Sequence, residues 1–134
     1  KTAMSLSDLF CVERHKKNFL ILVKEKLDLI FANESEIMSL IDTKNFNEVV
    51  SFAKEVKKHI IITRGEKGAI SIIGNKIIEV KAKKNLIVKD LTGAGDLFAA
   101  GYLHGVINNL SSEKCLEKGI ELSSKVIQQI GARL

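Results

Sequence analysis

Two short runs of almost continuous apolar residues constrain the fold most strongly, LDLIFA at 27–32 and HIIIT at 59–63. Runs of this length and composition are typical of strands that are covered on both faces of a parallel sheet. One helical pattern, at 9–25, lies before the first run, and two more, at 33–41 and 46–57, lie between the two runs. This alternation predicts an α/β fold with a mainly parallel sheet.

The second half of the chain adds one antiparallel element to this pattern. Residues 69–82 form two β-rich arms around Gly74 and Asn75, a two-residue turn that favours a hairpin. The remaining pattern predicts a strand or strand end at 3–7, an extended segment at 86–88, an apolar helix over 97–109, and a last helix capped by Ser111 or Ser112 and ending near Ile130. With 134 residues, the chain is long enough for one core, so we expect a single α/β unit over 1–134.

Composition excludes several classes of protein. The longest apolar stretches are far shorter than the roughly 20 residues of a membrane span, and no leader pattern is present, so we expect a cytoplasmic protein without membrane contact. Cys11 and Cys115 have no CxxC spacing, which indicates reduced thiols. The net charge of +5 is almost entirely lysine and aromatic residues make up 5%, which argues against nucleic-acid binding.

The segment DLTGAGD, at 90–96, is the first of three strand ends that could carry chemistry. Here Thr92 can cap a helix whose first turn contains Gly93, Ala94 and Gly95. The N–H groups of such a turn bind anions, and Asp96 beside them could accept a proton from a hydroxyl group. The alternative is a structural helix start with glycines used for close packing. The segment lacks the GK[ST] of a Walker A loop and the third glycine of a dinucleotide-binding motif.

The second strand end carries Asn33 and Glu36, whose spacing fits a helix capping box. The same pair could hold a hydrated Mg²⁺, and the two roles are compatible.

The third strand end carries Thr63, Gly65 and Gly68. The two glycines could simply serve to turn the chain into the hairpin. Alternatively, they could leave a shelf for a flat ring or a ribose, with Thr63 supplying a hydroxyl. Further along, Gly101 and Gly105 are spaced for close packing of a helix, which we expect against the sheet.

Together these segments resemble the PfkB family of carbohydrate and nucleoside kinases. DLTGAGDLFAAGYLHG is similar to the family signature D-T-x-G-A-G-D-x-F-x-x-G, although Leu91 replaces the usual threonine. NESE at 33–36 matches the N-x-x-E motif, and TRGEKG at 63–68 matches T-x-G-x-x-G. The order of the motifs agrees as well, and the resemblance covers essentially the whole chain.

The resemblance implies a ribokinase-like three-layer α/β/α sandwich, of which this chain is the C-terminal part. It implies ATP-dependent phosphoryl transfer to a hydroxymethyl group of an adenosine-like nucleoside or a sugar. The implied roles are a catalytic base at Asp96, an anion hole at Gly93, Ala94 and Gly95, ATP contacts at Thr63, Gly65 and Gly68, and Mg²⁺ held mostly through water by Asn33 and Glu36.

Members of this family are longer than the present chain, so the resemblance also implies a missing N-terminal half that carries most of the acceptor site. The chain alone is therefore not expected to turn over substrate. A catalytically inactive nucleotide-binding module of the same fold is the alternative function. The sequence leaves the oligomeric state open, with a homodimer as one candidate.

Overall fold

The computed structural model describes residues 1–133, which contain a five-stranded sheet in the order β1-β2-β3-β4-β5. Pairing of β1 with β2 and of β2 with β3 is parallel. The strands are β1 Ala3–Ser5, β2 Leu29–Asn33, β3 His59–Thr63, β4 Ala69–Ile73 and β5 Lys76–Val80. The helices are α1 Leu9–Ile21, α2 Glu34–Leu40, α3 Phe46–Val56, α4 Ala94–Ile107 and α5 Ser112–Val126, with a π-helical turn at Leu22–Lys26 and a 3₁₀ turn at Gly65–Lys67.

The chain divides into two compact units. The first contains Lys1–Thr63 and Ser71–Ile77, and the second contains Arg64–Ile70 and the residues from Ile78 onward. None of the helices within residues 1–133 is both long and apolar enough to cross a membrane.

In the first unit, the two apolar runs form the central strands, as predicted. Ile30 in β2 pairs in register with Ile60 in β3, and both side chains are completely buried, as are Ile61 and Ile62. Burial of successive residues means that both faces of the sheet are covered here, which explains why the runs do not alternate with polar residues. The same register places Asn33 beside Thr63 at the carboxyl ends of the two strands.

In the second unit, α4 packs directly on α5 through glycines. A Cβ atom on Gly101 would lie 2.6 Å from the carbonyl oxygen of Lys118, and one on Gly105 would lie 2.8 Å from the Sγ atom of Cys115. On the opposite helix, a Cβ on Gly119 would lie 2.8 Å from the Phe98 ring. The expectation that Gly101 and Gly105 pack against the sheet is therefore wrong, because their nearest neighbours belong to α5.

The helix boundaries in this unit differ from the predicted ones in three places, one of which is the end of α4 at Ile107 rather than Asn109. Helix α4 begins at Ala94, three residues earlier than expected, and α5 ends at Val126 rather than near Ile130. After α5, the N–H group of Gly131, which has a φ of +89°, donates a hydrogen bond to Asp90. Ser111 caps α5 as predicted, since its hydroxyl oxygen accepts the Lys114 N–H at 3.3 Å.

Three further predictions concern smaller features. The hairpin β4–β5 turns at Gly74 and Asn75 as expected. Residues 86–88 belong to no strand. Both cysteines are free thiols, as predicted, and Cys115 is buried, which raises its pKa.

Candidate active site

The first turn of α4 presents free backbone donors. Helix α4 opens with the Leu97 N–H donating to the Gly93 carbonyl at 2.9 Å, and the Ala94 N–H donates to the Leu91 carbonyl at 3.1 Å. The N–H groups of Gly93, Gly95 and Asp96 have no hydrogen-bond acceptor within residues 1–133. Free N–H groups at a helix start, reinforced by the helix dipole, form an anion-binding site. Of the three residues predicted for the anion hole, Gly93 and Gly95 keep an N–H group without an acceptor among the described residues, Ala94 does not, and Asp96 adds one.

Gly93 and Gly95 occupy this turn for different reasons. Gly93 is the N-cap with a left-handed φ of +77°, and a Cβ on it would lie 2.6 Å from the Ala132 Cβ. The fold therefore requires glycine at this position. Gly95 has no positive φ, and apart from its chain neighbours and the adjacent backbone of α4, a Cβ on it would meet no heavy atom of the described residues within 4 Å. Nothing in the described fold requires glycine at position 95, although glycine weakens a helix by roughly 0.5–1 kcal/mol relative to alanine.

Asp96 follows directly on this turn. Its side chain is exposed and makes no hydrogen bond or ion pair with any other described residue. It is the third residue of α4, close to the amino-terminal end of the helix. A free carboxylate beside free backbone donors can accept a proton from a hydroxyl group that reacts at a bound phosphate.

Sequence reasoning missed the role of Asp90, the first residue of the same motif. Its Oδ1 accepts the N–H of Thr92 at 2.9 Å and the hydroxyl of Thr92 at 2.7 Å, while its Oδ2 accepts the N–H of Gly131 at 2.9 Å. These hydrogen bonds, those from Thr92 first, lower the pKa of Asp90 to about 2. The prediction that Thr92 caps α4 is wrong, because its hydroxyl is bonded to Asp90 instead.

Asn33 and Glu36 form the predicted capping box at the start of α2. The Glu36 carboxylate accepts the Asn33 N–H at 2.9 Å and the Asn33 Nδ2 at 2.7 Å, and the Asn33 Oδ1 accepts the Glu36 N–H at 2.8 Å. Only 5% of Glu36 is exposed, and this burial raises its pKa, partly offset by the hydrogen bond from the Asn33 backbone.

The donor set around this box fits a magnesium ion only through water. No group of three or more His, Cys, Asp or Glu side chains able to hold a metal ion occurs in residues 1–133. Both Glu36 oxygens already accept hydrogen bonds from Asn33. Each carboxylate oxygen keeps a second lone-pair site, and Mg²⁺ retains several of its waters in proteins, so a water-mediated contact is compatible with the capping box.

The two glycines in the segment after β3, Gly65 and Gly68, have different surroundings. Gly68 has a φ of +101° and is buried, and a Cβ on it would lie 2.0 Å from the Val80 carbonyl oxygen. Gly65 also has a positive φ, but it is exposed and has open space around it. Gly68 is therefore required by packing, whereas Gly65 leaves bare backbone that a ligand can approach. Thr63, just before this turn, is half-buried.

The structure brings the predicted residues together in two groups. Asn33 and Thr63 are direct register partners at the carboxyl ends of neighbouring strands in the first unit. The segment 93–96 forms one helical turn in the second unit, which also contains Gly65 and Gly68. The Asx-turn spacing of Asp90 and Thr92 is the local signal that could have identified Asp90 as an anchor.

Solved structures of kinases share this fold. Over all of this chain and 41% of the other, the structure is similar to adenosine kinase from Sinorhizobium meliloti, with 38% identity and a TM-score of 0.96. A probable sugar kinase from Rhizobium etli is 41% identical with a TM-score of 0.94, over 98% of this chain and 40% of that one. The predicted ribokinase-like α/β fold is thereby confirmed.

Sequence comparison leads to the same group of proteins. A nucleoside kinase from Methanocaldococcus jannaschii is 30% identical over 120 residues, which cover 90% of this chain and 39% of that protein. The chain thus spans about two fifths of the length of these relatives. The family model of the pfkB family carbohydrate kinases matches residues 12–134. The chain therefore belongs to the pfkB family of carbohydrate kinases.

Proposed function

We propose that this chain is the nucleotide-binding and catalytic part of an ATP-dependent kinase that phosphorylates a hydroxymethyl group. The acceptor we propose is an adenosine-like nucleoside, with a simple sugar as the other member of the same substrate class. Similarity to an adenosine kinase and to a nucleoside kinase supports the nucleoside. The remaining, N-terminal part of the kinase would supply most of the acceptor site.

The observation that carries this proposal is the first turn of α4. Gly95 places no side chain over the free donors, although the described fold would accept alanine there. Such a turn suits a transferring phosphoryl group, whose catalysis depends on positioning and on electrostatic stabilisation more than on reactive side chains. Asp96 lies on the same turn, and its carboxylate makes no hydrogen bond or ion pair with the residues that the structure describes.

In the proposed reaction, the carboxylate and the N–H groups of this turn have separate roles. The hydroxymethyl oxygen of the acceptor attacks the γ-phosphorus, and the bond from that phosphorus to the bridging oxygen of ADP breaks. The proton of the hydroxyl group passes to the Asp96 carboxylate. The N–H groups of Gly93, Gly95 and Asp96 stabilise the negative charge that develops on the transferred phosphoryl oxygens.

The other predicted residues would bind the nucleotide and its metal ion. Asp96 is itself negative, so a phosphate chain beside it needs a counter-charge, which Mg²⁺ supplies in phosphoryl transfer. Asn33 and Glu36 would hold that ion through water. Thr63 and Gly65 would contact the nucleotide directly, and Gly68 would fix the turn between them and the hairpin.

The test is phosphoryl transfer by the full-length gene product that contains this chain, with ATP and Mg²⁺. Adenosine, other nucleosides, ribose and fructose serve as acceptors, and Asp96→Asn is the variant. We expect the variant to lower kcat by about 10²–10⁴-fold, the usual contribution of a positioned base, with little change in ATP affinity. Glu121→Gln is the matched control, because Glu121 is an exposed carboxylate on α5 that pairs with Lys125.

Each result has a distinct meaning. Transfer to one acceptor that is lost in Asp96→Asn and kept in Glu121→Gln supports the reaction, the base and the substrate together. An Asp96→Asn protein as active as the wild type contradicts the assignment of the base. ATP binding without transfer to any acceptor would instead favour the catalytically inactive nucleotide-binding module.

A further inference from the structure

Asp90 joins the loop before α4 to the segment that follows α5. One of its carboxylate oxygens accepts two hydrogen bonds from Thr92, and the other accepts the N–H of Gly131, 41 residues further along the chain. Both oxygens are thereby engaged, one on each side of the junction. Charged acceptors make hydrogen bonds about twice as strong as neutral ones, so this junction is a firm one.

Three more contacts tie the same segments together, one of which is the Asp90 N–H donating to the Ile127 carbonyl at 3.3 Å. The N–H of Lys89 donates to the Ile127 carbonyl at 2.8 Å. Ala132 lies directly over Gly93, at a distance that leaves no room for a Cβ on the glycine. Gly93 is the left-handed N-cap of α4, so its conformation sets the direction of the N–H groups that follow it. The segment 127–132 therefore buttresses the residue on which the geometry of the turn depends.

We propose that Asp90 is a positioning residue of the kinase, which holds the segment 127–132 against Gly93 and thereby keeps the donors of the first α4 turn aimed at the phosphoryl group. This inference rests on the proposed function for its effect on the reaction. The link itself is a property of the described fold. Asp90 touches neither the nucleotide nor the acceptor in this scheme.

Four variants test the hydrogen bonds of this junction separately. Asp90→Ala removes all three hydrogen bonds. Asp90→Asn keeps one oxygen that can accept from Thr92 but presents an amide NH₂ where Gly131 needs an acceptor. Thr92→Val removes only the hydroxyl donor, and the conservative Thr92→Ser restores it. Glu121→Gln again serves as the control for loss of one acidic charge in the same unit.

The first measurement is hydrogen–deuterium exchange of peptides covering 91–96 and 127–133, which requires no activity. We expect faster exchange in both peptides for Asp90→Asn and Asp90→Ala, and wild-type exchange for Glu121→Gln. Faster exchange in only one of the peptides, or in neither, would overturn the proposed link. If Asp90→Ala does not fold, Thr92→Val against Thr92→Ser makes the same comparison with a single hydrogen bond.

The second measurement is kcat and KM of the full-length protein, with kcat expressed per folded molecule. A misplaced reacting group can cost about 10²-fold, so we expect kcat to fall by up to about that factor in Asp90→Asn, with KM for the acceptor unchanged and Thr92→Ser close to wild type. A purely structural role would lower the melting temperature and leave kcat per folded molecule unchanged, which would refute the positioning role.

The pH dependence of kcat distinguishes the role of Asp90 from that of the proposed base, Asp96. Since the pKa of Asp90 is about 2, the carboxylate stays ionised at every assay pH. Asp90→Asn should therefore lower kcat by the same factor at all pH values, whereas a changed pH profile would contradict the positioning role. Absence of transfer by the wild type refutes the proposed function alone, because the exchange measurement still decides the link.

Discussion

Replacing Gly95 by alanine should separate the needs of the fold from those of the reaction. Beyond its chain neighbours and the adjacent backbone of α4, the added Cβ would meet no heavy atom of the described residues within 4 Å, and the backbone at this position lies outside the left-handed region. The substitution therefore introduces neither a clash nor backbone strain. Because alanine is the better helix former by roughly 0.5–1 kcal/mol, we expect the free energy of unfolding to stay the same or to rise by up to that amount.

The same methyl group should impair phosphoryl transfer. It would stand on the turn whose N–H donors face the phosphate, so the phosphoryl oxygens could no longer approach the backbone to hydrogen-bond distance. Loss of one donor from a preorganised anion hole typically costs 10²–10³-fold in kcat. We therefore expect Gly95→Ala to lower kcat by about 10²-fold, at unchanged or higher stability.

The assay compares thermal unfolding and steady-state kinetics of the full-length protein with those of a matched glycine variant. In Gly101→Ala the new Cβ would lie 2.6 Å from the Lys118 carbonyl oxygen. This overpacking should cost about 1–3 kcal/mol and lower the melting temperature. A Gly95→Ala protein with wild-type kcat would refute the anion-binding role of the turn. A strongly destabilised one would refute our account of why glycine stands there.

Two further outcomes follow from the geometry. Gly68→Ala should lower the free energy of unfolding by about 3 kcal/mol, the upper end of overpacking costs, because its Cβ would meet the Val80 carbonyl oxygen at 2.0 Å. Gly65→Ala should lose only about 1–2 kcal/mol, the cost of a left-handed alanine, and equal losses in denaturant unfolding would contradict this distinction. Asp90 has a depressed pKa of about 2 in the folded state, so its stabilising contribution is complete above pH 4 and is lost as the pH falls from about 4 to about 2. Acid titration of stability should show this loss in the wild type and not in Asp90→Asn, and identical acid profiles would contradict it.

The elements that were predicted correctly have signals in consecutive residues. Uninterrupted isoleucines at 60–62 are buried on both faces of the sheet, which is the arrangement that such a run indicates. The spacing of Asn33 and Glu36 is a local property, so the capping box could be read directly from the sequence. For the same reason, the hairpin turn at Gly74 and Asn75 was predictable.

The errors concern contacts between distant parts of the chain. Gly101 indicated that something approaches its helix closely, but its spacing does not identify the neighbour, which is α5. Thr92 was expected to cap α4, but its hydroxyl donates to Asp90, which also accepts the N–H of the distant Gly131. Gly93 and Gly95 are the same letter in the sequence. Only the left-handed φ of Gly93 and the position of Ala132 distinguish the glycine that folding requires from the one that it does not.

The contact between α4 and α5 limits how the sequence of this unit can diverge. At Gly101 and Gly119 the backbones of the two helices approach each other closely, so their separation is set by main-chain atoms rather than by side-chain volume. Exposed positions of α4, such as Ala100, His104 and Ile107, can therefore change during evolution without moving the helix axis. The geometry of Asp96 can be inherited through extensive substitution of that outer face, provided that the glycines of the contact are retained.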